Sequence, residues 1–182
     1  MEQISFKITG ITALLQNNPA SMRRSGTGLS QKSIPTPEEE AESKVFKEAD
    51  GQLYVPAAGF RFGIIKRACT GRRLQKRSAS SVVSGALFLL SDRCPLTNGN
   101  GKPVTEYEID CQRAVVQRQG IIRARPRIPN WSTEVQYEYD DDFLSAEIIE
   151  ELQTLAGKIS GLGDFRPDRG GANGRYSVEK IS

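Results

Sequence analysis

The chain has 182 residues, with 25 lysines and arginines against 22 aspartates and glutamates, a net charge of +3 and no histidine. This length fits one domain that buries its own core without disulfide bonds. Because histidine is absent, the sequence excludes a Ser-His-Asp triad, a Cys-His pair, a His-ligated zinc site and an imidazole acid or base working near neutral pH.

The first third of the chain combines one strand with a long irregular stretch. Residues Gln3–Thr9 alternate between apolar and polar side chains, which predicts a half-buried strand. Asparagine, proline and glycine residues predict a loop over about 10–43, with a short acidic helix opened by Pro37. The pair Asp50-Gly51 predicts a hairpin turn, and Ala58–Ala68 predicts a helix.

The middle of the chain predicts a central strand followed by an irregular hairpin. Val82–Leu90 is a continuous apolar run with β-branched and large residues, which is typical of a buried strand. Turn residues within 92–112 predict the hairpin. Pro126 and Pro129 are expected to prevent regular structure in the segment that follows the hairpin.

The last part of the chain predicts a strand, an amphipathic helix and a final strand. Ser132–Tyr139 alternates between apolar and polar residues, and Arg175–Ile181 forms the last strand after a glycine-rich loop. Apolar residues in Phe143–Ile159 recur at three- and four-residue spacing, as in a helix with one buried face, and Asp141 and Ser145 are its two possible caps. That face is predicted to carry Leu144, Ile148, Leu152, Leu155 and Ile159.

Without its insertions, the predicted order is strand, helix, strand, strand, helix, strand. This is the order of the ferredoxin-like (RRM-like) α+β fold. We therefore expect a single domain over residues 1–182. One insertion covers about 10–55, a loop plus hairpin, and the other covers about 91–131, which is rich in arginine.

The modest net charge conceals two basic segments that contain no acidic residue. Acidic residues are concentrated elsewhere, in 38–42, 140–142 and 147–151. An asymmetric, arginine-rich surface favours contact with nucleic-acid phosphates over an ordinary solvated face. The two segments contain Arg61, Lys66, Arg67, Arg72, Arg73, Lys76 and Arg77, and Arg113, Arg118, Arg123, Arg125 and Arg127. The nearby Trp131 is a candidate for base stacking, although a lone tryptophan is more often part of the core.

The loop Gly161–Gly174 contains five glycines interleaved with basic residues. It follows a helix and precedes a strand, which is opposite to the context of dinucleotide and P-loop motifs, and it lacks their GK[ST] element. The alternative is a flexible connector. Glycines that let a backbone approach closely, next to Arg166, Arg169 and Arg175, favour contact with a phosphate backbone.

Three features resemble the RAMP superfamily, the RNA-binding proteins of CRISPR effector complexes. Residues Tyr54–Arg67 resemble the family motif in which a strand ends at a proline and a turn of small residues starts a helix with a basic face. The ferredoxin-like order with two insertions resembles the family's palm with finger and thumb additions. The glycine-rich loop before the last strand resembles the family's glycine-rich loop.

This resemblance implies a subunit that binds single-stranded, guide-type RNA and oligomerises along it in antiviral defence. Its partners would be guide RNA and target RNA, further copies of itself as a homo-oligomer or filament, and other effector-complex subunits. An alternative is a viral or solitary relative, a protein-interaction module that inhibits or joins a nucleic-acid machine. A third is a metal-dependent ribonuclease using acidic loop residues, for which the candidates are Asp50, Asp110, Asp164 and Asp168.

We expect a non-enzymatic binding protein with no catalytic residue, metal or cofactor, because no acid–base pair stands out. Asp164 and Asp168 are expected to pair with neighbouring arginines. The residues expected to contact nucleic acid are Arg61, Lys66, Arg67, Arg72, Arg73, Lys76, Arg77, Arg118, Arg123, Arg125, Arg127, Trp131, Gly163, Phe165, Arg166, Arg169, Gly170, Gly171 and Arg175.

The cysteine pattern and the N-terminal sequence predict the compartment. Cys69, Cys94 and Cys111 form no CxxC pair, which argues against a disulfide framework or thiolate metal site and fits the reducing cytoplasm. The start of the chain lacks the features of a signal peptide, and its longest apolar run is too short to span a bilayer. We expect a cytoplasmic protein without a membrane partner.

Overall fold

A computed structural model describes residues 1–24, 35–116 and 119–181. In chain order, its main elements are β1 (Glu2–Gly10), β2 (Leu14–Leu15), α1 (Pro37–Lys44), β3 (Tyr54–Pro56), α2 (Ala58–Gly63), β4 (Arg73–Leu74), β5 (Arg77–Ser78), α3 (Ala79–Ala86), β6 (Leu87–Leu89), β7 (Arg93–Pro95), β8 (Glu108–Val116), β9 (Gln119–Ile128), β10 (Ser132–Tyr139), α4 (Ala146–Ile159) and β11 (Tyr176–Lys180). A π-helical turn (Ile64–Ala68) continues α2, and 3-10 turns cover Pro19–Arg24 and Pro167–Arg169.

The central sheet has four strands in the order β11-β1-β10-β6, and every neighbouring pair is antiparallel. In this register Phe6 on β1 lies opposite Val135 on β10, and Ile8 lies opposite Val178 on β11. One face of the sheet is buried, while Glu134 and Gln136 on the other face are exposed. The predicted α+β class is confirmed, and the predicted strands at Gln3–Thr9, Ser132–Tyr139 and the C-terminal end are observed.

Helix α4 is joined to the buried face of the sheet by a short polar bridge. The hydroxyl of Tyr137 donates to Oε1 of Gln153 over 2.8 Å, and the Gln153 side-chain amide donates to the hydroxyl of Tyr176 over 3.0 Å. All three side chains are buried. Buried polar groups are costly unless they are hydrogen-bonded, so this bridge fixes the register of α4 on the sheet.

The predicted buried face of α4 is wrong in part. Leu152 is buried, but Ile159 is 45% exposed, and the small residues Ala156 and Gly157 are buried instead. A Cβ added to Gly157 would lie 2.5 Å from the backbone oxygen of Tyr176. The helix is therefore rotated so that its smallest residues and Gln153 face the sheet, which a count of apolar spacing does not reveal.

The N-terminal boundary predicted for α4 is also different in the structure. The helix starts at Ala146 rather than at Phe143, because the Ser145 hydroxyl accepts the backbone N–H of Ile148 as an N-cap. Of the two possible caps in the sequence, Ser145 is therefore the one that the helix uses, and Asp141 lies outside it.

The central strand predicted over Val82–Leu90 is wrong in its first half. Helix α3 occupies that half, and only β6 is extended. The buried residues of α3 are Ala79, Val82, Val83 and Ala86, which follow the three- and four-residue spacing of a helix. The apolar run viewed from Val82 onwards omits Ala79, so it conceals this periodicity.

The predicted break at Pro126 is also wrong, because β8 and β9 form one long antiparallel ladder. Pro126 lies inside β9 opposite Ile109, and its carbonyl accepts the backbone N–H of Gln16 over 3.0 Å. Proline lacks only the amide donor, so a strand that uses its carbonyl can hold it.

Helix α1 begins at Pro37, where the sequence predicts a short acidic helix, and it packs on β9. The Thr36 hydroxyl accepts the backbone N–H of Glu39, and the Glu39 carboxylate accepts the backbone N–H of Thr36.

No helix in the described ranges is long and apolar enough to cross a membrane.

Candidate nucleic-acid interface

The basic face of α2 and its π turn is held in place by two arginines. The Arg61 guanidinium donates to the backbone oxygens of Leu87 and Ser84, each over 2.8 Å. The Arg67 guanidinium forms an ion pair with Asp168 in the glycine-rich loop. The Arg67–Asp168 ion pair joins two basic regions that are about a hundred residues apart in the chain, and Lys66 beside Arg67 remains exposed.

Beyond the π turn, the short β4–β5 hairpin presents three further cations. Arg73, Lys76 and Arg77 are exposed and form no ion pair with any residue in the described part of the chain. The turn residues Gln75 and Lys76 have φ values of 48° and 65°, in the left-handed region that favours glycine. The hairpin is therefore a strained turn that carries basic side chains outward.

Two contacts attach this hairpin to neighbouring elements. Arg72 pairs with Glu151 of α4 over 2.7 Å, and the Gln75 side chain donates to the backbone oxygen of Asp142 over 3.0 Å. Arg72 is thus matched by an acid, whereas the cations of the hairpin itself are not, within the residues that the structure describes.

The glycine-rich loop is anchored on both sides by its aspartates, as the sequence predicts. Asp164 pairs with Arg125 of β9 over 2.5 Å. Asp168, whose side chain is 3% exposed, pairs with Arg67 and, over 3.4 Å, with Arg166. Because the loop lies between β9 and the π turn, it links the two predicted basic segments.

Several glycines of this loop are required by packing within the protein. A Cβ at Gly163 would lie 2.3 Å from the backbone oxygen of Leu15, and one at Gly171 would lie 1.7 Å from that of Phe165. The close approach predicted for a ligand is made here by the protein's own backbone. Gly170 is different, because its φ is 77° and a Cβ added there would have no atom of the described residues within 4 Å. Arg169 on the same loop and Arg175 directly after it are exposed.

The arginines of β9 form ion pairs with acidic residues of the protein. Arg123 pairs with Glu40 over 3.1 Å, and Arg127 pairs with Glu108. The expectation that Arg125 is a surface ligand is wrong, because it is only 8% exposed. Its guanidinium pairs with the Asp164 carboxylate, and its guanidinium carbon lies 4.5 Å from the Phe165 ring centroid. Arg118 lies outside the described residues.

Glu40 is the acid that attaches α1 to the β8–β9 ladder. Its carboxylate accepts hydrogen bonds from Lys44, from the backbone N–H of Ala124 and from Arg123. Burial raises the pKa of Glu40, but these hydrogen bonds outweigh it, and the net pKa is lowered from 4.5. The ionised carboxylate is therefore the form that holds α1 in place.

The predicted stacking role of Trp131 is wrong, because the residue is 2% exposed. Its indole N–H donates to the backbone oxygen of Thr12 over 3.0 Å, and its ring packs edge-on against Tyr176. Gly10 lies directly against the indole. The structure supports the alternative interpretation of Trp131 as a core residue.

Two exposed aromatic residues were missed by sequence reasoning. Phe62 is 42% exposed, with the Arg166 guanidinium carbon 5.9 Å from its ring centroid. Phe88 is 43% exposed, and Arg61 lies at the same distance from its ring. A helical projection could have found Phe62, because residues two apart on a helix point in different directions and Phe60 is the buried one.

A cleft of about 370 Å³ opens beside the Phe62 side chain. It is lined by Ala58, Arg61, Phe62, Ile65, Lys66, Ser84 and Leu89. A second cleft of about 340 Å³ lies on the side of the glycine-rich loop and also includes Phe62, together with Arg166. Among the described residues, neither lining contains a carboxylate.

The acidic candidates for a metal site are dispersed or already paired. No group of three or more histidine, cysteine, aspartate or glutamate residues that could hold a metal ion occurs in the described ranges. The expectation that Asp110 lies in a loop is wrong, because it lies on β8 opposite Arg125. Asp50 accepts the backbone N–H of Gln52 in a turn, and Asp164 and Asp168 pair with arginines.

Fold and site together define an α+β protein with a cation-rich surface around α2. No protein-family model and no curated protein matches the chain. Among solved structures, the chain is similar to a chain from the cryo-EM structure of the Type III-B Cmr-beta bound to cognate target RNA, with a TM-score of 0.60 and 12% sequence identity. The similarity covers 100% of this chain and 61% of that one, so this chain spans about three-fifths of its neighbour's length. At this identity the similarity shows a shared fold.

Proposed function

We propose that the chain is a non-catalytic, RAMP-like RNA-binding subunit of a CRISPR-type effector complex. The observation that carries this proposal is the set of exposed cations after α2, which have no acidic partner among the described residues. Those cations are Lys66, Arg73, Lys76 and Arg77. The fold shared with a structure that contains target RNA supports the same proposal.

The bound RNA contacts the protein mainly through its phosphates in this proposal. Exposed lysines and arginines neutralise phosphates and release counterions, which gives affinity without sequence preference. The ion pair between Arg67 and Asp168 holds the basic segment next to the glycine-rich loop. Arg169 on that loop and Arg175 directly after it extend the path of positive charge.

The partners follow from the same proposal. A backbone-type subunit binds single-stranded guide RNA, meets the target strand, and oligomerises with its own copies and with other effector subunits. The compartment we propose is the cytoplasm, because all three cysteines are free.

The first prediction compares two double variants with the same change in charge. Lys66→Glu/Lys76→Glu removes two exposed cations of the proposed path, and Lys102→Glu/Lys158→Glu removes two exposed cations elsewhere. Affinity for a fluorescently labelled single-stranded RNA is measured across a salt series. We expect the first variant to bind at least about tenfold more weakly and to lower the salt slope by about 1.4, at about 0.7 per phosphate contact on single strands.

The control variant should bind within about twofold of wild type, since phosphate contacts act locally. Equal losses in both variants would show that net charge alone matters, and would contradict the proposed path. Wild-type protein that binds no RNA at low salt would overturn the proposed function itself.

A second candidate is a protein-interaction module that inhibits or joins a nucleic-acid machine. The ion pairs of Arg123, Arg125 and Arg127 favour this candidate over RNA binding. These arginines stabilise the protein's own fold and are not left free for phosphates. Such a module would purify without nucleic acid, whereas an RNA-binding subunit raises the 260/280 nm absorbance ratio until nuclease is added.

The third candidate is a metal-dependent ribonuclease. It is tested by incubating the protein with labelled RNA and magnesium or manganese, and it requires that the RNA is cleaved.

A further inference from the structure

Phe62 lies where the two clefts beside α2 meet, and its ring is exposed although the Arg166 guanidinium carbon lies 5.9 Å from its centroid. It is 42% exposed, although Phe60 and Ile64 on the same helix are fully buried. Its ring lines the cleft shared with Arg61 and Lys66 and also the cleft shared with Arg166. An exposed aromatic ring between two clefts is the arrangement in which a flat ligand gains stacking area.

The chemistry of the larger cleft separates into an apolar part and a cationic part. Ile65, Leu89 and the Phe62 ring provide the apolar surface, and Lys66 provides an exposed ammonium group. The Arg61 guanidinium is fixed by two backbone carbonyls, so its position is defined before any ligand arrives. A planar apolar surface beside positive charge fits a nucleotide, with the base on the ring and the phosphate near the cations.

A comparable cleft on α4 provides the contrast. It has a volume of about 410 Å³ and is lined by Arg72, Glu147, Glu150, Glu151, Thr154, Leu155 and Lys158. Its three carboxylates would repel a phosphate backbone, and its lining, within the described residues, contains no aromatic ring. Phe143, which is 36% exposed, lies near the start of α4 and serves as a control for exposed aromatic residues in general.

We propose that Phe62 is a base-stacking residue: an unpaired RNA base stacks on its ring in the cleft shared with Arg61 and Lys66. This inference rests on the proposed RNA-binding function and adds a contact to the base. Stacking accepts every base, because all bases have a π face, so the contact strengthens binding without selecting a sequence.

The test combines removal of the ring with removal of the bases. Wild type, Phe62→Ala, Phe62→Leu, Phe62→Trp and the control Phe143→Ala are titrated with a single-stranded RNA and with an abasic RNA of the same length. We expect Phe62→Ala and Phe62→Leu to bind the normal RNA about fivefold or more weakly, as expected for loss of one stacked base. Phe62→Trp should retain the affinity, and Phe143→Ala should leave it unchanged.

The abasic RNA separates stacking from folding and from phosphate contact. On this RNA wild type and Phe62→Ala should bind equally, because no base remains to stack. Equal binding of normal RNA by wild type and Phe62→Ala overturns the inference while leaving the proposed function intact. An unchanged loss on abasic RNA also overturns it, since the ring would then act on the fold or the phosphates. Wild type that binds neither RNA contradicts the proposed function instead.

Discussion

At the scale of single residues, the buried amide of Gln153 shows how one polar side chain determines the position of a helix. Its two hydrogen bonds connect β10 and β11 through α4. Tyr137 and Tyr176 have pKa values raised above 10, for each of them mainly because burial disfavours the charged phenolate. Both phenols are therefore neutral at neutral pH and act as hydrogen-bonding groups.

Replacing Gln153 with leucine should destabilise the fold by about 2 to 4 kcal/mol, because two buried hydroxyls then lose their partner. The free energy of unfolding is measured with urea. The triple variant Gln153→Leu/Tyr137→Phe/Tyr176→Phe removes the orphaned hydroxyls as well, and it should be more stable than Gln153→Leu. A triple variant less stable than the single one would show that the bridge acts through packing alone.

At the scale of elements, the acidic helix α1 depends on charge rather than on apolar packing. Half of its residues are glutamate, and Ala41 and Lys44 are its buried residues. Hydrogen bonds from Arg123 and the Ala124 amide hold Glu40 against β9, and Lys44 of the same helix donates a third to it. Because the folded-state pKa of Glu40 is lowered from 4.5, its stabilising effect is present above that pH and is lost as the pH falls below it.

The variant Glu40→Gln should therefore be less stable than wild type by about 1 to 2 kcal/mol at neutral pH. That difference should shrink as the pH falls through the lowered pKa, since wild-type Glu40 then also becomes neutral. Urea unfolding of both proteins at neutral pH and well below pH 4.5 measures it. Glu38→Gln is the control, because Glu38 lies in the same helix and makes no side-chain hydrogen bond within the described residues. A difference that stays constant with pH would exclude Glu40 as the titrating group.

The elements also show where sequence reasoning succeeds and where it fails. β1, β10 and α1 were predictable, because alternation and a proline followed by acidic residues are local signals. The sequence prediction places a strand where helix α3 lies, since both structures can bury a short apolar run and the helical spacing appears only when Ala79 is included. In the candidate site, the pairing of Asp164 and Asp168 was predictable from charge. The burial of Trp131 and the exposure of Phe62 depend on packing between segments distant in sequence.

At the scale of the whole molecule, charge is distributed unequally between two regions. The side around α2 and the glycine-rich loop carries exposed cations, and α4 carries Glu147, Glu150 and Glu151 around a cleft. The net charge of +3 hides this separation. An uneven distribution orients an incoming polyanion before contact, because the cationic region attracts it and the acidic region repels it.

RNA should therefore protect some lysines from chemical acetylation and leave others reactive. Lys66 lines the cationic cleft, while Lys158 lines the acidic cleft, and both are exposed in the protein. With saturating single-stranded RNA, we expect acetylation of Lys66 and Lys76 to fall several-fold, with Lys102 and Lys158 unchanged, as read by peptide mass spectrometry. High salt should restore reactivity, because the phosphate contacts that cover these lysines are weakened. Protection of Lys158 equal to that of Lys66 would mean that RNA coats the molecule without regard to its charge asymmetry, and would place the interface elsewhere.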